Sequence, residues 1–99
     1  SGYNQPRPAQ FELRAKAAVR LNIVVSSEDP NETVYERSHS FESGDVLQLG
    51  EDTLQHPPYN IEFRIDSETI WNMNIGTCNH LVVSISEGEN VKIVEHIAC

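Results

Sequence analysis

A chain of 99 residues suits one domain with a single core and leaves no room for a separate substrate domain. Its 38% hydrophobic and 22% charged residues exclude a mainly disordered chain, and no apolar run is long enough to cross a bilayer. A net charge of −8 repels nucleic-acid backbones and anionic lipid, leaving basic partners, divalent cations, a saline medium or plain solubility as uses of so acidic a surface.

Residues 1–10 contain Pro6 and Pro8, lack a core pattern and read as an extended arm. The sequence starts at Ser1 rather than Met, so removal of a leader or of other N-terminal residues is expected. Phe11, Leu13, Ala15, Ala17, Val19, Leu21, Ile23 and Val25 then occupy successive odd positions, with Glu12, Arg14, Lys16, Arg20 and Asn22 between them. A period of two over this length predicts strand with one buried face, and the alanine-rich patch at 15–18 predicts a break or bulge within it. A dense turn cluster at 26–31 precedes a polar, β-prone stretch over 33–41 that carries Val34, Tyr35 and Phe41. Glu42, Ser43, Gly44 and Asp45 turn the chain into a short strand, Val46–Leu49, and residues 50–58 form a loop that ends in Pro57 and Pro58.

The C-terminal half alternates more regularly. Ile61, Phe63 and Ile65 mark one strand, and Trp71, Met73 and Ile75 the next. After a break at 76–79, Leu81, Val83 and Ile85 mark a third, and a loop at 87–90 leads to Val91, Ile93 and Ile97. Seven or eight short strands separated by turns predict an all-β sandwich. The domain plan is an arm over residues 1–17, available as a donor strand, followed by a sandwich over 18–99.

Cys78 and Cys99 are the only cysteines. A cysteine at a terminus is of little use in a reducing cell, but as one end of a disulfide it holds a terminus that would otherwise fray. A Cys78–Cys99 bridge would close a loop of about 21 residues and stabilise the fold by about 3 kcal/mol. The pair lacks C-x-x-C spacing, which argues against a redox or metal role. Asn31-Glu32-Thr33 is an N-x-T sequon in a turn and marks Asn31 as a glycosylation site.

Cys78-x-His80 is similar to part of the copper loop of cupredoxins, but no Met follows, since Met73 lies before the cysteine. His39, His56, His80 and His96 are otherwise scattered, and no metal or other cofactor is expected. Glu42, Asp45, Glu51 and Asp52 lack the order of a calcium loop and read as a solvated rim. There is no nucleophile elbow and no phosphate-binding glycine loop, and Glu87 and Glu89 sit in a turn where their pKa values are hard to tune. The chain reads as a non-enzyme.

Several stretches together carry a family resemblance: Val19-Arg20-Leu21-Asn22-Ile23-Val24, Thr33-Val34-Tyr35-Glu36-Arg37, Tyr59-Asn60-Ile61-Glu62-Phe63, the Trp71 strand, Cys78 and the final Cys99. On these the chain resembles the small secreted immunoglobulin-like β-sandwich proteins of archaea, the halophile type especially. The resemblance implies an immunoglobulin-like antiparallel sandwich, a cell-surface or extracellular location, often with a lipid anchor, and no catalysis. It also implies structural roles for Trp71, Cys78 and Cys99.

The leading expectation is an extracellular, pilus-like filament subunit that polymerises by strand addition, with Phe11, Leu13 and Ala15 filling pockets at the subunit interface of a neighbour. A monomeric, surface-anchored binding or adhesion module is the alternative, and it requires 11–17 to pair within its own sheet. A cupredoxin-like metal-binding protein is the third reading. Self-association and a glycan are the partners expected, with neither nucleic acid nor a membrane span.

Overall fold

The computed structural model describes residues 7–98. Eight strands fill most of them: β1 (Gln10–Ala15), β2 (Val19–Glu28), β3 (Asn31–Phe41), β4 (Val46–Leu49), β5 (Tyr59–Ile65), β6 (Glu68–Ile75), β7 (His80–Ser86) and β8 (Asn90–Ile97). A single 3-10 turn, Glu87–Glu89, joins the last two. The strands form two four-stranded sheets, ordered β4-β1-β7-β8 and β3-β2-β5-β6. The fold is all-β and sandwich-like, and no described helix is long and apolar enough to cross a membrane.

Alternation decides which side chains meet between the sheets. Phe11 and Leu13 of β1, with Leu81, Val83 and Ile85 of β7, face Leu21, Ile23 and Val25 of β2 and Ile61 and Phe63 of β5 in one buried cluster. The rings of Phe11 and Phe63 meet edge-on across the sheets, centroids 6.0 Å apart at 62°. β7 is buried on both sides, because Val82 and Ser84, off the core phase, are only 1% and 9% exposed.

The N-terminal segment differs most from expectation. β1 is not a free arm: it lies between β4, which it meets antiparallel, and β7, which it meets in parallel. Phe11 stands opposite Leu49 on one side and Leu81 on the other. Phe11, Leu13 and Ala15, read from sequence as a subunit interface, are at most 2% exposed, within the core of their own chain. The boundary at 17/18 falls in the connection between β1 and β2, so the sandwich begins with β1 rather than after it. The physical reason lies at 16–18, where the chain leaves one sheet for the other while both strands keep odd residues inward. The amide of Lys16 donates to the carbonyl of Ile85 at 2.8 Å, and the Ser43 hydroxyl donates to the Lys16 carbonyl at 3.0 Å, fixing the crossing.

The parallel β1–β7 pair also departs from a purely antiparallel plan; the other strand pairs are antiparallel. The β3–β4 turn docks on the end of β1: the amide of Ala15 donates to Asp45, and Gly44, at φ 98°, donates its amide to Ala15, each at 2.8 Å. That backbone angle favours glycine. The long loop before β5 is anchored by Leu54, which is fully buried and whose carbonyl accepts from the amide of Ala9 at 3.0 Å.

Candidate functional site

The residues singled out in the sequence lie far apart in the fold. Asn31 opens β3 at the tip of the β2–β3 hairpin, exposed, with Glu32 and Thr33 of its sequon exposed beside it. Cys78 sits in the β6–β7 turn at φ 65° and is not a free thiol; Cys99 lies outside the described residues. Trp71 is partly buried on β6, its ring 4.7 Å from that of Phe63. His39 is in β3, His56 in the loop before β5, His80 at the start of β7 and His96 in β8. Among the described residues, no group of three or more His, Cys, Asp or Glu is arranged to hold a metal ion.

The outer face of the β3-β2-β5-β6 sheet is a polar lattice. Glu62 of β5 accepts from Arg64 through two nitrogens, at 2.7 and 3.1 Å, and from the Thr69 hydroxyl of β6. These hydrogen bonds, Arg64 first, hold the Glu62 carboxyl below its usual pKa. Next to it, the Asn60 amide nitrogen donates to Asn74 at 2.8 Å and to Asn72 at 3.5 Å. On the outer face of the other sheet, Glu12 accepts from Gln48 at 2.7 Å and from Arg14 at 2.6 Å, and these bonds lower its pKa.

An aromatic row runs along the inward side of β3. Tyr35, His39 and Phe41 stack in sequence, His39 lying 6.2 Å from the Tyr35 ring and 5.3 Å from that of Phe41. The Tyr35 hydroxyl and His39 Nε2 share a hydrogen bond at 2.8 Å, and the Arg37 guanidinium lies 5.8 Å from the centroid of the Tyr35 ring. Burial, then the charge of Arg37, push the His39 pKa below its ordinary value. A depressed histidine pKa means that the unfolded chain takes up its proton first. The stability His39 contributes is therefore intact above pH of about 6.5 and declines as pH falls toward the folded-state value. Ring-proton NMR should show His39 titrating below a denatured-state reference, and His39→Phe should flatten that part of the pH–stability profile; a normal titration would contradict the assignment.

An open groove of about 820 Å³ lies where Arg20 and Asn22 of β2 face Arg64, Asp66, Glu87 and Glu89. It exists because β5 leaves β2 at the Asn22–Arg64 pair, so the first residues of β2 have no neighbour on that side. Two tight turns then lean over the gap. One uses Asp66 and Ser67 at φ 51° and 68°, and the other uses Gly88 and Glu89 at φ 72° and 61°. The groove mixes both charge signs and is open to solvent, which makes it a surface for polar contacts. The sequence named Glu87 and Glu89 as turn residues but contained no signal that this turn would meet β2 and the β5–β6 turn.

Compared with known proteins, the chain matches no family model and no curated sequence.

Proposed function

We propose that this protein is a non-enzymatic, immunoglobulin-like module of the extracellular surface that acts by binding or adhesion through the outer faces of a self-filled sandwich. A Cys78–Cys99 disulfide closes its C-terminal end, and Asn31, at an exposed hairpin tip, carries a glycan. The observation that carries this reading is the position of β1 between β4 and β7, with Phe11, Leu13 and Ala15 in the core of their own chain. Polymerisation by N-terminal strand donation asks β1 to leave, which strips both neighbours of their hydrogen bonds and opens the core. The surface-module reading asks for no such exchange. A cupredoxin-like role is disfavoured because a bridged Cys78 has no thiolate to give a metal.

Light scattering and electron microscopy of the full, oxidised chain should find a small discrete species without filaments. Filaments that disappear on deletion of residues 1–17, while the remaining chain stays folded, would restore the strand-donation reading. Peptide mapping without reductant should recover residues 78 and 99 in one linked fragment.

A further inference from the structure

Among the described residues the two sheets have four edges, β4, β8, β3 and β6, and β6 is the one left unguarded. β4 is four residues long. β3 carries Glu32, Glu36 and Arg37 along its length. β8 exposes Ile93, Val94 and Ile97 by about half, but a bulge opposite Val82 and Val83 interrupts it, and Lys92 and Glu95 flank that bulge. Short length, charge and bulges are the devices that keep sheet edges from pairing. β6 has none of them over residues 71–75, Trp-Asn-Met-Asn-Ile, in a chain of net charge −8. Its one bulge lies at the start, around Ile70, and residues 71–75 run in unbroken register against Phe63 to Tyr59.

This edge is complementary to itself. We propose that two copies of the chain pair antiparallel through β6 about a two-fold axis at Met73, joining their β3-β2-β5-β6 sheets into one eight-stranded sheet. In that register Asn72 stands opposite Asn74 of the second copy, and Trp71 opposite Ile75. The Asn60 amide already donates to Asn74 and Asn72, and the side-chain nitrogens of Asn72 and Asn74 have no acceptor among the described residues. Each then donates to the facing asparagine oxygen of the second copy, so the amide row continues across the axis. No charge faces a like charge along the edge. The contact is isologous and closes on itself, so association stops at two. This inference does not rest on the surface role proposed above.

Repulsion between two acidic chains opposes the contact, so the dimer tightens as salt rises, the reverse of an interface held by ion pairs. Sedimentation velocity on the full, oxidised chain, at low and high ionic strength, tests this directly. Asn72→Lys with Asn74→Lys puts lysine against lysine twice and should weaken the dimer about tenfold. Asn72→Lys with Asn74→Glu instead sets each new lysine against a glutamate of the second copy and should restore it. Residues 72 and 74 are exposed, and matched melting curves confirm that all three proteins are folded. A chain monomeric at every concentration overturns the proposal. So does a dimer indifferent to the double-lysine change, which would move the contact to β8, and so does failure of the lysine–glutamate combination to rescue.

Discussion

Phe11→Ala should lower the melting temperature by about 15–30 °C, the equivalent of about 3–5 kcal/mol in a domain of this size. Phe11 is 1% exposed and stands between Leu49 and Leu81 in its sheet, with its ring against Phe63 of the other. Truncation removes the largest side chain that β1 gives to the core and leaves a cavity bounded by three strands of one sheet and one of the other. Neighbours fixed by backbone hydrogen bonds on both sides of β1 have little freedom to close it. Glu12→Ala, on the same strand but the opposite face, opens no cavity between the sheets, loses hydrogen bonds to Gln48 and Arg14, and should cost well under half as much. Thermal and denaturant melts of the two variants make the comparison. Similar small losses for both would mean that β1 is an accessory arm.

Val82→Asp should be comparably damaging at neutral pH, about 3 kcal/mol or more, and should be relieved by acid. Val82 is 1% exposed although it lies off the core phase of β7, and its cross-strand neighbours are Glu12 on β1 and Glu95 on β8. Gln48 and Arg14 hold Glu12 as a carboxylate to lower pH than usual. An aspartate at 82 is therefore desolvated between two anions, and both effects raise its pKa in the folded state. A raised carboxyl pKa works against folding when the group is charged, so the penalty is full at neutral pH and fades as pH falls through the folded value. Val82→Asn buries a polar group of the same size without the charge. The two variants should converge in acid and diverge above it, as denaturant titrations at several pH values will read out.

Most strand positions were legible because a half-buried strand shows its burial as alternation. Val46–Leu49 was expected with the bounds observed, and the apolar phases of residues 11–15, 21–25, 61–63 and 81–85 all point into the core. Alternation reports which face is inward, not which strand lies alongside. Nothing local in Gln10–Ala15 distinguishes a strand that pairs with a neighbour from one that pairs with β4 and β7, and that gap produced the free-arm reading. The end of β8 fails for a related reason: Ile93 and Ile97 continue an apolar pattern, yet an edge strand leaves them about half exposed. The groove was illegible because it depends on where two turns, 20 residues apart in sequence, come to rest over β2. The uncharged run in β6, by contrast, is plain in the sequence but acquires meaning only once β6 is known to be an edge.

The parallel alignment of β1 with β7 sets an order of events during folding. Gln10 pairs with His80, 70 positions away, whereas β2, β3, β5 and β6 join by antiparallel contacts completed by Ile75. A chain made from its N-terminus can close that sheet while β1 still waits, held at most by the four residues of β4, too little for a ribbon stable by itself. β1, made before both strands it pairs with, is thus among the last of the eight to be secured, and closing so long a loop comes late. Loss of packing at Phe11 then shows mainly as faster unfolding, with the rate of folding little changed.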